Sequence, residues 1–475
     1  MDLDTGVRIV YLIAAVTFIV GLKGLGSPST AQLGNRVAAG GMLLAVTATF
    51  VGRQLDLPIV AAGLITGTVA GVAGARLVKM TAMPQMVALF NGAGGGAATL
   101  VAILEYWHAI DPRTGQGFDQ ADGTLLSILF GTIIGAISFS GSAVAFAKLQ
   151  GVIPARAFHY PFQRSVTALV FGAMLVIALL LLAGARVGVS TAPPLALIAL
   201  LTLSALAFGV ALVLPIGGAD MPVVISLLNA YTGLAVAAAG FVLDNQLLIV
   251  SGTLVGASGT ILTRLMSKAM NRSLKNVLFG AFGSVPAAGA PGARVEDGRT
   301  TRPTTVEDVA TLLAYARSVI IVPGFGLAVA QAQHAVRELA DVLGSRGVKV
   351  VYAIHPVAGR MPGHMNVLLA EANVPYESLL DLEAVNPEFA RADVALVIGA
   401  NDVTNPAARS TTGSPISGMP ILDVDKAANV IVIKRSMKPG FAGIDNDLYL
   451  DPKTAMLFGD AKDVLARLIS EVKAA

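Results

Sequence analysis

The chain has 475 residues, a formal net charge of +3 and no cysteine. Hydrophobic residues make up 55% of it and charged residues 13%, with a mean hydropathy of +0.72, which excludes an ordinary soluble protein. Disulfides, thiolate metal sites and cysteine nucleophiles are excluded as well, and the small, scattered positive charge leaves no footprint for nucleic acid.

The opening residues, Met1-Asp-Leu-Asp-Thr5, carry no basic region and no small-residue cleavage site, so the first apolar run reads as a retained span. A hydrocarbon core about 30 Å thick takes roughly 20 apolar residues per helix. Nine stretches fit: 6–26, 36–53, 57–78, 84–107, 123–148, 166–186, 193–215, 221–243 and 246–266. An odd number puts the termini on opposite sides. With the C-terminal side inside, the inner loops hold Lys23, Arg36, Arg76, Lys79, Lys148, Arg156, Arg164, Arg264, Lys268, Arg272 and Lys275. The outer segments hold only Arg8, Arg53, Arg113 and Arg186, in agreement with the excess of basic residues on cytoplasmic loops. The reading is a multi-pass membrane protein with its N-terminus outside and its last third in the cytoplasm.

Small residues recur in the spans, as at Gly63, Gly67, Gly71 and Gly74 and from Gly92 to Ala98, where they let helices approach closely. Asn91-Gly-Ala-Gly-Gly-Gly96 has no lysine and lies within a span, so it reads as a packing face and not as a phosphate loop. Polar residues are costly inside lipid. Ser138, Ser140 and Ser142 cluster in the fifth span, Asp220 stands at the mouth of the eighth, and Ser251, Ser258 and Thr260 mark the ninth. Single hydroxyls read first as interhelical hydrogen bonds. Asn91, Ser138, Asp220, Asn229 and Ser258 are the candidates for a proton or ion path. No His, Glu or Asp lies at the middle of a predicted span, so such a path lacks a titratable centre in this chain.

Residues 284–304 are rich in Pro, Gly, Ala and Thr without periodicity, which predicts a tether between a membrane domain, 1–283, and a second domain, 305–475. Thr305-Val-Glu-Asp308 has the cap and acidic first turn of a helix start.

Val319 to Val322 predicts a buried strand, Gly324 and Gly326 a tight turn, and the run from Ala328 to Leu343 a helix. This is the setting of a G-x-G-x-x-[GA] fingerprint, whose glycines and free helix N–H groups receive a pyrophosphate. Its third position is Val329, or Ala328 if the spacing is one shorter. Further strands are predicted at 348–355, 393–400, 421–425 and 430–433, with a last helix from Ala461 to about Val472. Alternating strands and helices predict a Rossmann-like, doubly wound parallel sheet whose ligand lies at the carboxyl ends of its strands.

The loops there have unusual content. His355-Pro-Val-Ala-Gly-Arg-Met-Pro-Gly-His364 has no acidic residue for a ribose 2′-hydroxyl, which favours NADP over NAD. Gly399-Ala-Asn-Asp-Val-Thr-Asn-Pro406 follows a strand and can hydrogen-bond an amide or a ribose. Lys434-Arg-Ser436 supplies two cations and a hydroxyl for a 2′-phosphate, though alone it also reads as a solvated basic turn. Gly440-Phe-Ala-Gly443 and Gly459-Asp-Ala-Lys462 complete the set.

Over essentially its full length the chain resembles the β subunit of the bacterial proton-translocating NAD(P) transhydrogenase. The resemblance is carried by Pro323 to Gln333, His355 to Asn366, Val397 to Asp402, Lys434 to Ser436, Met456 to Lys462, Gly217 to Pro222 and Lys268 to Ser273. It implies a Re/Si-specific transhydrogenase subunit, active only with its α partner. Hydride would pass between NAD(H) on that partner and NADP(H) held here in reversed orientation, coupled to inward proton movement. It also implies a dimer of αβ units. The cofactor-binding positions it implies are Gly324, Phe325 and Gly326; Val357, Ala358, Gly359, Arg360, Met361 and Pro362; Gly399, Ala400, Asn401, Asp402 and Val403; Lys434, Arg435, Ser436, Met437, Lys438, Pro439, Gly440 and Phe441; and Asp460, Ala461 and Lys462. No catalytic side chain is expected, because apposed nicotinamides exchange hydride directly. Family members commonly have Tyr where Phe325 and Phe441 stand. Some carry a His at the position of Asn91, which implies that here the protonatable His belongs to a membrane helix of the partner, with Asn91 and Asn229 lining the path. From residues alone the rival is an ion transporter gated by an NADP-sensing domain; a membrane-anchored NADP reductase would not need nine spans.

Overall fold

The computed structural model describes residues 3–52, 57–109, 123–154, 158, 161–187, 194–217, 220–270, 274, 300–359, 363–410, 416–440 and 442–475. Arg360, Met361, Pro362 and Phe441 lie outside them, as do the tether up to residue 299 and the charges Arg53, Arg113, Arg156, Arg272 and Lys275. The described chain forms two compact units, one helical and one built on a sheet.

The described residues of the helical unit form nine long helices: α1 (Leu3–Gly24), α2 (Pro28–Gly52), α3 (Leu57–Leu77), α4 (Met83–Ala109), α5 (Gly123–Gln150), α6 (Gln163–Val187), α7 (Pro194–Val213), α8 (Met221–Val242) and α9 (Gln246–Ala269). Among the described residues, eight are long and apolar enough to cross a membrane. The exception is α2, predicted as a span over 36–53: Gln32, Asn35 and Arg36 occupy its first turns and leave a shorter apolar stretch.

Helix α5 is the best buried and packs on α4, α7 and α8. Close approach explains the glycines of α4: a Cβ on Gly95 would lie 2.9 Å from Gly135 O, and one on Gly92 3.3 Å from Ser142 Cβ. The packing-face reading of Asn91–Gly96 therefore stands. The glycine ridge of α3 does not follow the expectation. Gly63, Gly67 and Gly71 meet nothing within 4 Å, and only Gly74 abuts a neighbour, the ring of Phe90.

The second unit is a seven-stranded, wholly parallel sheet in the order β1-β7-β6-β5-β2-β3-β4. Its strands are β1 (Arg302–Pro303), β2 (Ser318–Pro323), β3 (Lys349–Ile354), β4 (Leu379–Asp381), β5 (Val394–Ile398), β6 (Asn429–Lys434) and β7 (Thr454–Phe458). The helices are α10 (Val306–Ala314), α11 (Phe325–Val329), α12 (Gln333–Ser345), α13 (His364–Glu371), α14 (Leu382–Phe389), α15 (Ala407–Ser410) and α16 (Ala461–Ala474). Central β2, β5 and β6 are continuous β-branched and aliphatic runs, as sheets covered on both faces require. Strand order reverses between β2 and β5, and the register Val319↔Val394 through Pro323↔Ile398 ends both strands at one level. A crevice at that level is where such sheets hold ligands.

Besides β4 and β7, for which no strand is predicted, three details differ from the sequence reading. The helix after the glycine turn begins at Phe325, three residues early, and breaks at Gln331, which has φ 51°. Residues 421–425, predicted as a strand, make no ladder. Asn386 takes the place of a neighbouring strand, donating Nδ2 to Ile421 O (3.0 Å) and accepting Asp423 N–H at Oδ1 (3.0 Å), and a 3-10 turn follows at Val424–Lys426. Finally, β1 pairs with β7, so the sheet takes in Arg302 and Pro303 from the predicted tether. The Thr305 cap is as expected, with Oγ1 accepting Asp308 N–H at 3.2 Å.

Candidate nucleotide site and membrane polar cluster

Because every strand is parallel, the loops after β2, β3, β5, β6 and β7 share one end of the sheet. All described candidates for the cofactor stand there.

The loop after β2 is pressed against the loop after β5. A Cβ on Gly324 would lie 2.3 Å from Ala400 Cα, and one on Gly399 2.4 Å from Gly326 Cα. Gly324 N–H donates to Ile398 O (2.9 Å) and Gly326 N–H to Gly399 O (3.0 Å). The N–H groups of these two glycines are thus spent on closing the crevice floor.

The loop after β3 is anchored by buried His355, whose Nδ1 accepts Val357 N–H (3.2 Å) and whose Nε2 lies 2.8 Å from Pro420 O. Burial lowers its pKa to about 4, with the Pro420 carbonyl opposing. An acceptor at Nδ1 and a carbonyl at Nε2 define the neutral ring with its proton on Nε2. Ala358 is buried, and Gly359 (φ 103°) packs on His364, whose ring is 6.3 Å from that of Phe325. The loops after β2 and β3 therefore meet.

Asn401, Asp402 and the segment after β6 form one polar knot. Ala442 N–H donates to Asp402 Oδ2 (2.9 Å), and a Cβ on Gly440 would lie 2.6 Å from Asp402 Oδ1. Asn446 Nδ2 donates to Asn401 O (3.0 Å) and Oδ1 (3.1 Å), and Tyr449 OH to Asn401 Oδ1 (3.0 Å). Val403 is buried beneath. Asn446 and Tyr449 escaped the sequence reading because they precede β7, outside every motif; the signal available was the polar run Asp445-Asn-Asp447 before an apolar strand.

Lys434 is half-buried. Its Nζ donates to Lys438 O (2.7 Å) and sits 4.7 Å from the centre of the Tyr449 ring. Burial pushes its pKa down, against the opposing charges of Asp402 and Asp445. Arg435, Ser436, Met437, Lys438 and Pro439 are exposed beside it. Asp460 does a structural job: its Oδ1 accepts Lys462 N–H (3.0 Å) as the cap of α16, while Ala461 is buried and Lys462 exposed. Asp460→Ala should destabilise the sheet unit by about 1 kcal/mol and Asp460→Asn by much less, as measured by thermal unfolding.

In the helical unit, two of the path candidates, Asn91 and Ser138, are brought together. Asn91 Nδ2 donates to Ser142 Oγ (2.9 Å) and Ser138 Oγ (3.3 Å); Ser138 Oγ donates to Leu228 O (2.8 Å) and accepts from Thr232 Oγ1 (2.6 Å). Asn91, Ser138, Ser142 and Thr232 thus join α4, α5 and α8, and Asn91 Oδ1 is buried with no partner among the described residues. Thr232 was missed because a threonine in an apolar helix commonly bonds back one turn. Asp220 is buried just before α8. Two candidates are elsewhere. Asn229 is exposed on the outer side of α8, since the inward positions of that turn are taken by Leu228 and Thr232. Ser258 donates to Val255 O (3.3 Å) in its own helix, as Ser140 does to Ala136 O (3.0 Å). Lys148, counted as an inner-loop charge, is buried at the end of α5 and donates to Leu214 O (2.5 Å) and Ile216 O (2.6 Å).

A bundle of helices able to cross a membrane, joined to a Rossmann-like parallel sheet with a basic strand end, defines the class as a membrane protein with a dinucleotide-type domain. The family described as "NAD(P) transhydrogenase beta subunit" matches residues 7–471. The protein named NAD(P) transhydrogenase subunit beta from Rhodospirillum rubrum is 50% identical over 461 residues, 97% of this chain and 97% of its own, and the same-named protein from a designated strain of that organism matches equally. The chain belongs to the NAD(P) transhydrogenase beta subunit family.

Proposed function

We propose that this chain holds NADP(H) at the carboxyl end of its sheet and moves protons through its helical unit, as one half of a transhydrogenase completed by an NAD(H)-binding α subunit. The observation that carries the nucleotide assignment is Lys434-Arg435-Ser436 at the end of β6, beside the β2–β5 crevice and without a carboxylate in the loop after β3. The residues fit such a ligand. The described residues take only one of the three Lys434 protons, and Arg435 and Ser436 are exposed beside it.

The bound nicotinamide supplies hydride chemistry, in the balance NADH + NADP⁺ + H⁺(out) ⇌ NAD⁺ + NADPH + H⁺(in). The chain's own residues orient and exclude water. The glycine floor fixes the depth of the crevice, the His355 loop covers one side, and the Asn401–Asp402 knot ties the segment after β6 to the other. In the helical unit, Asn91, Ser138, Ser142 and Thr232 relay hydrogen bonds but do not titrate, so the protonatable group comes from the α subunit. The helical domain precedes the tether and the NADP(H) domain, with the N-terminus outside, the sheet in the cytoplasm and αβ units paired in the inner membrane.

Reconstituting the chain with its α subunit in vesicles tests this. Hydride exchange between NADH and NADP⁺ should acidify or alkalise the lumen according to direction; exchange without a pH change, or nucleotide binding without exchange, would overturn it. Lys434→Gln should weaken NADPH binding about tenfold and leave NADH binding unchanged, since one charge-assisted hydrogen bond is worth roughly 1.5 kcal/mol.

A further inference from the structure

Tyr449 lies in the 3-10 turn Asp447–Leu450 between β6 and β7, buried in the sheet's core cluster. Both of its faces of chemistry are in use. The hydroxyl reaches Asn401 Oδ1 at 3.0 Å and Ala400 O at 3.3 Å, which fixes the plane of the ring. The ring in turn carries the Lys434 ammonium 4.7 Å from its centre, within the range where an aromatic face attracts a cation. A lysine side chain has four flexible carbons and samples many positions unless something holds its end. Here the Tyr449 ring and the Lys438 carbonyl hold it, at the carboxyl end of β6. An apolar side chain of similar volume would fill the same core position but would neither orient an ammonium nor bind Asn401.

We propose that Tyr449 is a positioning residue for phosphate recognition: its ring sets the Lys434 ammonium for the 2′-phosphate of the dinucleotide, and its hydroxyl ties that setting to the Asn401–Asp402 loop. The proposal rests on the reading of this strand end as an NADP(H) site. It gives the loops after β5 and β6 a common pivot, because the same Asn401 also accepts from Asn446 and its neighbour Asp402 holds Ala442.

The test keeps the shape of the residue and changes its electronics. Tyr449 is replaced in the full chain by phenylalanine and by mono-, di- and trifluorinated phenylalanines, which progressively weaken the negative ring face. Dissociation constants for NADPH and NADH are read from nucleotide fluorescence, with the unfolding temperature as a control on folding. Tyr449→Phe, which keeps the ring face but loses the Asn401 bond, should lower the NADPH preference over NADH by about threefold without abolishing it. That preference should then fall steadily, by about fivefold across the fluorinated series, and the trend should vanish when Lys434 is also changed to Gln. A flat series, or an equal decline in the Lys434→Gln background, overturns the role of Tyr449. An unaltered chain that binds NADPH no better than NADH overturns the nucleotide reading itself, and the role of Tyr449 with it.

Discussion

A Gly399→Ala chain is expected to lose at least about 3 kcal/mol of the stability of its sheet unit and, with it, NADPH binding. Two effects add at this position. Gly399 has φ 68°, where an alanine is strained by about 1 kcal/mol. Its new Cβ would also stand 2.4 Å from Gly326 Cα and 2.6 Å from Leu327 N, both backbone atoms that cannot rotate aside. Relief would require β2 and β5 to part where Gly326 N–H meets Gly399 O, at the floor of the crevice. Gly443 is the matched control. It has nearly the same backbone (φ 70°) but meets nothing within 4 Å, so Gly443→Ala should cost only the conformational part. Calorimetric unfolding of both variants separates the two effects. Equal losses would mean that the close approach of the two loops contributes nothing.

The same pair of loops shows what was legible beforehand and what was not. The β-branched runs 319–322 and 430–433 and the polar content of the loops after them identified the strand ends, because alternation of apolar strand and Gly-rich turn is a local signal. What the glycines do is not local. Gly324 and Gly326 look like a pyrophosphate cradle in sequence, yet their N–H groups are taken by Ile398 and Gly399, some 75 positions away in the chain. The edge strands Arg302–Pro303 and Leu379–Asp381 were invisible for a related reason: two or three residues carry no period, and only their neighbours β7 and β3 make them strands. Residues 421–425 failed in the opposite sense. They have strand composition, but Asn386 on α14 satisfies their backbone instead.

In the membrane unit, hydropathy located the helices but could not assign their faces. Polar side chains on an apolar helix are detectable one by one, while the partner of each depends on helix rotation. Asn91 and Ser138 meet because α4 and α5 approach across glycine, at Gly92 and Gly95; Asn229, equally polar, faces outward one position after Leu228. The four-residue cluster that results is worth only a few kcal/mol even if each bond contributes about 0.6 kcal/mol or somewhat more. Its value lies in position: four hydrogen-bonding side chains, none of them titratable, at the junction of three helices.

His355 gives the sheet unit a predictable response to acid. Its ring is neutral in the folded chain, accepting from Val357 at Nδ1 and donating to Pro420 at Nε2, and a second proton at Nδ1 would set two donors against each other. Burial brings its folded pKa down to about 4 from an ordinary value near 6.5. Above that ordinary value neither state is protonated and the histidine's contribution is fully present. As the pH falls from about 6.5 to about 4 the unfolded chain takes up a proton that the folded chain refuses, and about 3 kcal/mol is lost across that window. Carboxylates titrate over part of the same range, so the measurement is a difference. The stability of the unaltered chain is compared with that of His355→Gln at each pH, which cancels the shared background. The advantage of histidine should shrink by about 3 kcal/mol between pH 7 and pH 4. NADPH affinity should fall in parallel in the unaltered chain, because Pro420 and Val357 hold the loop that leads to Gly359. A difference that stays constant across this range would show that the histidine is not buried as a neutral ring, and the anchoring of the loop after β3 would have to be sought in other contacts.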